Sequence, residues 1–271
     1  MPELPEVETT LRGIEPHLIR RCVTEVVIRT PKLRWPIPKN LPELLRGQIV
    51  RGLHRRAKYL LIAFDHGSLI LHLGMSGSLR ILPAGTPAEK HDHFDLVLED
   101  GQLMRLRDPR RFGAVLWHNG DLAQHSLLAT LGPEPLEQDF DGEYLHRSTR
   151  SRSVAIKLAI MDSHLVVGVG NIYANEALFR AGVRPQLAAN KLSMPRCQRL
   201  VQNIREVLLE AITQGGSTLR DFVHSDGSSG YFQQNYYVYG RTGEPCLVCS
   251  TPIKQIRQGQ RSTFYCPQCQ R

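Results

Sequence analysis

The chain is short of acid, of membrane-length apolar runs and of scattered cysteine. Of its 271 residues, 34 are Lys or Arg and only 26 are Asp or Glu, a formal net charge of +8. Such an imbalance points to a polyanionic partner, either nucleic acid or an anionic membrane surface. No apolar run approaches the roughly 18 residues that a membrane span needs. No basic amphipathic helix with a broad apolar face is present either, which weakens the membrane-surface reading. The opening Met1-Pro2-Glu3-Leu4-Pro5 has neither a basic n-region nor an apolar h-region, so no signal peptide is expected. Only Cys22 and Cys197 lie outside a C-terminal group of four cysteines. They sit alone in apolar surroundings and read as buried free thiols in a reducing compartment, so the expected location is the cytoplasm. There is no internal repeat and no low-complexity segment. The length allows about two domains, and 41% hydrophobic residues suffice for ordinary cores.

What the chain does have is concentrated at its end. Cys246, Cys249, Cys266 and Cys269 form C-x2-C-x16-C-x2-C. Two Cys-x-x-Cys knuckles supply the four thiolates that a tetrahedral structural Zn²⁺ takes, and the interval has the length of a β-hairpin. The unit reads as a zinc ribbon holding one zinc ion; a disulfide staple is the alternative. From Arg241 to Arg271 five Lys/Arg (Arg241, Lys254, Arg257, Arg261 and Arg271) face one acid, Glu244, a net of +4. A metal-pinned hairpin with a basic face suits a phosphate backbone.

Residues 4 to 19 place Val7, Leu11, Ile14 and Leu18 at spacings of three and four, which predicts a one-faced helix with Pro5 in its first turn. Strand-like runs follow at Cys22–Arg29, Ile49–Leu53, Tyr59–Phe64, Ser68–His72, Ser78–Leu82, Phe94–Leu98, Gln102–Arg107 and Ala114–Trp117. Asp100-Gly101 between two of them reads as a tight hairpin turn. So many short strands in about 100 residues suggest an antiparallel sandwich. Residues 131 to 143 lack periodicity and hold two prolines, so a linker is expected at 131–150. Helices are expected at Ser153–Asp162, Asn171–Ala181 and Pro195–Gln214. Gly182 and Gly215 sit where helix ends favour a left-handed residue. His164–Gly170 is too long for one turn, and this part reads as helix, two turns, helix. Gly170-Asn171 at the second helix's start could offer N–H groups to a phosphate. Residues 215–230 are rich in Gly and Ser and read as a polar loop. The fold class is therefore α+β. An N-terminal antiparallel β-sandwich domain with an N-terminal helix (1–130) is followed by the linker. A helix–two-turns–helix domain (151–236) and the zinc ribbon (237–271) complete it.

Pro2 is the second informative position. If the initiator Met is removed, Pro2 becomes a free secondary amine, able to attack an electrophilic sugar carbon and form an iminium. The positive end of the helix that follows would lower its pKa. Glu3 is adjacent and could pass protons. By itself Met-Pro-Glu is equally a processing signal.

The blocks PELPEVETTLRGIEPHL, RRAKYL (55–60), HLGMSGSLR (72–80), KHDHFD (90–95), DPRRFG (108–113), LGPEPL (131–136), VVGVGNIYANEALF (166–179), QGGSTLRDF (214–222) and the terminal ribbon together resemble bacterial formamidopyrimidine-DNA glycosylases. They occur in that family's order across nearly the whole chain. The resemblance implies a monomeric enzyme that removes oxidised purines, chiefly 8-oxoguanine and formamidopyrimidines, from damaged double-stranded DNA and then cuts the strand. It implies Pro2 as the nucleophile at C1′ and Glu3 as the proton donor. Lys58 would contact phosphate and assist β-elimination. Arg261 would clamp phosphate and assist δ-elimination. A flipped base leaves a gap, which the resemblance gives to Met75, Arg110 and Phe112. Met and Phe suit an opened base step, and Arg110 would bond the estranged cytosine. His91, Arg152, Lys157 and Asn171 match further DNA contacts. Tyr231 and Phe232 would anchor the far end of the 215–230 loop over the flipped base.

Blander roles stand beside these. Lys58 could be a solvated strand-end lysine, Arg261 a generic phosphate contact, and Met75 and Phe112 core residues. His91 and His93 could ligate a metal, although no third ligand is near. Arg147, Arg150 and Arg152 could be a solvated linker face. At the level of function the alternatives are an endonuclease VIII-type glycosylase for oxidised pyrimidines and a non-catalytic zinc-ribbon DNA-binding protein.

Overall fold

The computed structural model of the chain describes residues 2–215 and 236–271. It divides into two compact units, one running to Ala129 and the other built from Thr130–Gln214 and the C-terminal stretch.

The first unit opens with helix α1 (Leu4–Leu18), with Pro5 in its first turn as expected. The strands are β1 (Val23–Ile28), β2 (Gly52–Arg56), β3 (Tyr59–Phe64), β4 (Gly67–His72), β5 (Ser78–Pro83), β6 (Asp92–Leu98), β7 (Gln102–Arg107) and β8 (Ala114–His118). A short helix, α2 (Leu41–Leu45), lies between β1 and β2. The strands form two antiparallel four-stranded sheets, ordered β1-β6-β7-β5 and β2-β3-β4-β8. One buried cluster contains Leu60, Ile62, Leu69 and Leu71 of one sheet, Val26, Leu79, Phe94 and Leu106 of the other, and Val7, Leu11, Ile14 and Leu18 of α1. The sandwich is thus closed by the apolar face that the helical spacing revealed. Each such side chain removed from water contributes about 1.5–3 kcal/mol.

The second strand differs from expectation. Ile49–Leu53 looks apolar enough, but Ile49 makes only an isolated bridge with Cys22. The ladder with β3 runs from Gly52↔Ala63 to Arg56↔Tyr59. Polar His54, Arg55 and Arg56 are strand because they have a partner strand. Cys22 is only partly buried, contrary to expectation, whereas Cys197 is buried.

The second unit holds α3 (Gly142–Thr149), α4 (Ile156–Ile160), α5 (Asn171–Arg180), α6 (Met194–Thr213) and a hairpin of β9 (Lys254–Gln258) and β10 (Arg261–Tyr265). The stretch 131–150, expected as a linker, therefore carries a helix. Asp141 caps it by accepting from the Tyr144 N–H at 2.7 Å, and Gly142 lies so close to Gln198 of α6 that an added Cβ would sit 2.8 Å from its Cα. Helix α4 is shorter than the expected Ser153–Asp162, because the Ile156 N–H bonds Leu187 and Ala155 bridges Ala188. Gly182 and Gly215 take left-handed φ values of +65° and +84°.

Candidate active site and nucleic-acid interface

In the first unit Pro2 directly precedes α1, half-buried. Glu3 is the helix N-cap and only 2% exposed. Its backbone N–H donates to Glu6 Oε2 at 2.8 Å, one half of a capping box. The positive end of the helix dipole thus faces Pro2.

Lys58 occupies the two-residue turn between β2 and β3, after Ala57, whose φ is +54°. An alanine in that region is held there by its surroundings. The holding group is Arg55: Nη1 donates to the Ala57 carbonyl at 3.0 Å and Nε to Glu8 of α1 at 2.9 Å. Burial pushes the Glu8 carboxyl up, but Arg55 and Arg12 outweigh it and the net shift is downward. One partly buried pair therefore ties the Lys58 turn to the helix that carries Glu3. Glu8→Ala is expected to slow β-elimination on abasic DNA about five- to tenfold in single-turnover assays while DNA affinity holds. An unchanged rate would remove any dependence of Lys58 on this pair.

His72 was passed over in the sequence, because a lone histidine at a strand end carries no pattern. It ends β4, opposite Tyr59 in the ladder, with the two rings 4.8 Å apart. Burial, then the positive charges of Lys58 and Arg34, lower its pKa to about 4. Nδ1 accepts from the Gly74 N–H at 3.0 Å, so the neutral ring carries its proton on Nε2.

Two loops follow from these strands. Met75 stands at the tip of one, 38% exposed, and Phe112 at the tip of the other, 45% exposed. Neither is a core residue. The Arg110 guanidinium lies 4.9 Å over the Phe112 ring. Gly74 has φ +63°, and a Cβ there would lie 2.4 Å from the Phe112 carbonyl carbon, so the two loops pack backbone to backbone. His91 is half-buried, and its carbonyl accepts from the Asp108 N–H. His93 is buried and fully used: Nε2 donates to the Asp108 carbonyl at 2.9 Å and Nδ1 meets the Thr30 hydroxyl at 2.8 Å. That leaves it nothing for a metal.

In the second unit the four cysteines converge, their sulfur atoms all within 4.8 Å of one another. Their separations are 3.9 Å for Cys246–Cys269, 3.5 Å for Cys249–Cys266 and 3.4 Å for Cys249–Cys269. A tetrahedron of thiolates with zinc–sulfur bonds of about 2.3 Å needs about 3.8 Å between sulfurs. The Val248 N–H donates to Cys246 Sγ and the Cys269 N–H to Cys266 Sγ. This is the site of one structural Zn²⁺, with no ligand position left for water.

Arg261 opens β10 and lies on the exposed side of the hairpin, beside a shallow depression that Gln255, Ile256, Arg257, Gln260 and Ser262 also line. Behind it, Lys157 is 0% exposed. Its Nζ donates to Asn171 Oδ1 (2.7 Å), the Ser262 carbonyl (3.1 Å) and Thr263 Oγ1 (2.7 Å). Three oxygens inside the protein thus surround the Lys157 ammonium. Asn171 starts α5 after Gly170 and donates from Nδ2 to the same Ser262 carbonyl. Asn175 Oδ1 accepts from the Phe264 N–H, and Gln270 Nε2 donates to Val183. Helices α4 and α5 thus fix the register of β10. Glu176, 3% exposed, accepts from three successive amides, Tyr237, Val238 and Tyr239, at 2.8–3.0 Å. Arg152 pairs with Asp162 at 2.7 Å and remains partly exposed. The 215–230 loop with Tyr231 and Phe232 falls, apart from Gly215, outside the described residues.

Residues 1–115 match the model of the formamidopyrimidine-DNA glycosylase N-terminal domain, 131–223 that of its H2TH domain, and 243–271 the zinc finger found in FPG and IleRS. The chain belongs to the formamidopyrimidine-DNA glycosylase family. A formamidopyrimidine-DNA glycosylase of Thioalkalivibrio sulfidiphilus is 64% identical over the full length of both chains. That of Methylobacillus flagellatus is 59% identical over all of this chain and 96% of its own. Among solved structures, Lactococcus lactis Fpg in complex with abasic-site DNA superposes with a TM-score of 0.90 at 35% identity, over 99% of each chain. MutM (Fpg) of Thermus thermophilus gives 0.87 at 39% identity, over 99% of this chain and 98% of its own. The family's three-part organisation accounts for the sandwich, the helical region and the ribbon found here.

Proposed function

We propose that this chain is a base-excision DNA glycosylase and abasic-site lyase that removes oxidised purines from duplex DNA as a monomer in the cytoplasm. The observation that carries this is the Pro2-Glu3 pair at the positive end of α1, with the Lys58 turn fastened to the same helix through Arg55 and Glu8. The Lactococcus lactis relative has been solved with abasic-site and Fapy-dG DNA, which supports damaged DNA as the partner here too.

In this reading the Pro2 lone pair attacks C1′ and the glycosidic bond breaks, its electrons leaving with the base. Glu3 delivers a proton to the ring oxygen as the C1′–O4′ bond opens, giving an iminium. Loss of a C2′ proton expels the 3′ phosphate, and a second elimination expels the 5′ phosphate. Lys58 assists the first elimination and Arg261 the second, each beside a phosphate. His72, neutral near pH 7, can donate Nε2–H to a phosphate without competing for the catalytic proton. Met75 and Phe112 fill the space left by the flipped base, and Arg110 bonds the estranged cytosine. His91, Arg152 and Asn171 each supply a further contact to the DNA. Lys157 acts by holding Asn171 and Ser262 in place.

The test is a duplex with one 8-oxoguanine opposite cytosine. The expected products are free 8-oxoguanine and a one-nucleotide gap with phosphate on both ends. Release of oxidised pyrimidines in preference would move the chain to the endonuclease VIII type, and binding with no product would make it a non-catalytic binder.

A further inference from the structure

We propose that Asp108 and Ser76 form a clasp that presets Met75, Arg110 and Phe112 as one wedge, which makes both positioning residues for base-pair opening and for reading the opposite base. The proposal rests on the reading of those three side chains as gap fillers.

Asp108 is 0% exposed, yet among the described residues no arginine or lysine forms an ion pair with it. Its carboxylate is spent on loop geometry. Oδ1 accepts from Ser76 Oγ at 2.7 Å and from the Arg110 N–H at 3.3 Å, and Oδ2 accepts from the Gly113 N–H at 2.8 Å. Ser76 Oγ in turn accepts from the Arg110 N–H at 3.1 Å. One carboxylate therefore joins the residue after Met75 to the residues on either side of Arg111 and Phe112. The Asp108 backbone is fixed as well, through His91 and His93.

The shape of the second loop needs this support. Arg111 has φ +54°, a region that a side chain other than glycine rarely adopts without being held. Three exposed side chains, two of them apolar, gain little from packing in the free protein. Left loose, they would have to be ordered during DNA binding, at the cost of affinity or rate. A buried carboxylate with three neutral donors holds the loops at a point where water cannot compete. It also leaves the Arg110 guanidinium free of a carboxylate, resting on the Phe112 ring and available to a base edge.

The experiment compares wild type, Ser76→Ala, Asp108→Asn and Arg110→Ala on 8-oxoguanine opposite cytosine and opposite adenine, and on an abasic site in single-stranded DNA, where no gap is filled. Ser76→Ala is expected to slow excision opposite cytosine at least tenfold and to reduce the cytosine-over-adenine preference at least fivefold. Single-strand lyase activity should stay within twofold of wild type. Asp108→Asn should show the same pattern more strongly; should its melting temperature show that it does not fold, Ser76→Ala decides alone. An unchanged base preference in Ser76→Ala, or a lyase rate that falls in parallel with excision, would overturn the clasp. If Arg110→Ala also keeps the preference, the gap-filling reading fails with it; if Arg110→Ala loses the preference and Ser76→Ala does not, only the clasp fails.

Discussion

A preparation that retains Met1 is expected to give no covalent protein–DNA band with borohydride on an 8-oxoguanine:cytosine duplex, where the processed protein gives one. The reason is electronic. In the processed chain Pro2 presents a secondary amine whose lone pair can attack C1′, and the resulting iminium is reduced by borohydride to a stable tertiary amine. With Met1 attached, the same nitrogen is an amide and its lone pair is delocalised into the carbonyl. Base excision and strand cleavage should fall together, by about 10³-fold or more, which corresponds to roughly 4 kcal/mol of activation free energy. Pro2→Gly, with a primary amine in the same place, should keep a trapped band at reduced yield. On the proposed function, this amine stands just before α1, whose N-cap is the buried Glu3. A band of undiminished intensity from the Met1-bearing protein would move the nucleophile elsewhere, to the α-amine of Met1 or to Lys58.

Cys249→Ser is expected to lower bound zinc from one equivalent to none and to weaken binding to lesion-containing duplex at least a hundredfold. The ribbon's own apolar cluster is small: Val238, Cys246, Ile253, Phe264 and Cys266, with Phe179 of α5. A two-stranded hairpin on so little core does not hold its register unaided, and structural zinc supplies folding free energy directly. The damage would spread inward. Once β10 leaves its place, Lys157 loses two of its three oxygen partners, Ser262 and Thr263. A buried ammonium stripped of partners costs about 3–5 kcal/mol. Arg261 would lose its fixed place on the hairpin at the same time. Metal analysis with binding titrations checks this; full lesion-specific affinity in a zinc-free protein would refute it.

Much of the molecule was legible in the chain itself. The spacing of Val7, Leu11, Ile14 and Leu18 specified α1 because a helix returns every third or fourth residue to one face. Gly182 and Gly215 marked helix ends because only glycine takes a left-handed φ without strain. The paired knuckles gave the zinc site because few other functions need four thiolates at that spacing. Met75 and Phe112 stood out as loop tips from the glycines and arginines around them.

The remainder depended on partners far away in sequence. Periodicity placed β2 three residues early, because apolar Ile49 and Val50 look more like strand than His54 and Arg55, while the ladder with β3 decides otherwise. Lys157 matched a DNA-contacting position; it is buried in this fold, where Ser262 and Thr263, more than 100 residues on, bring two oxygens to it and Asn171 a third. Nothing local distinguishes Asp108 from any acid before a turn, or Arg55 from its neighbour Arg56. Their roles come from which loops and which helix the sandwich sets against them. The sequence by itself determined most of the elements and which metal is held, and it offered side chains with chemistry suited to the proposed reaction. Only the tertiary structure decided which charged groups are exposed to a ligand and which are consumed inside as fasteners, because burial and hydrogen-bond partners are properties of the packed chain and not of any window along it.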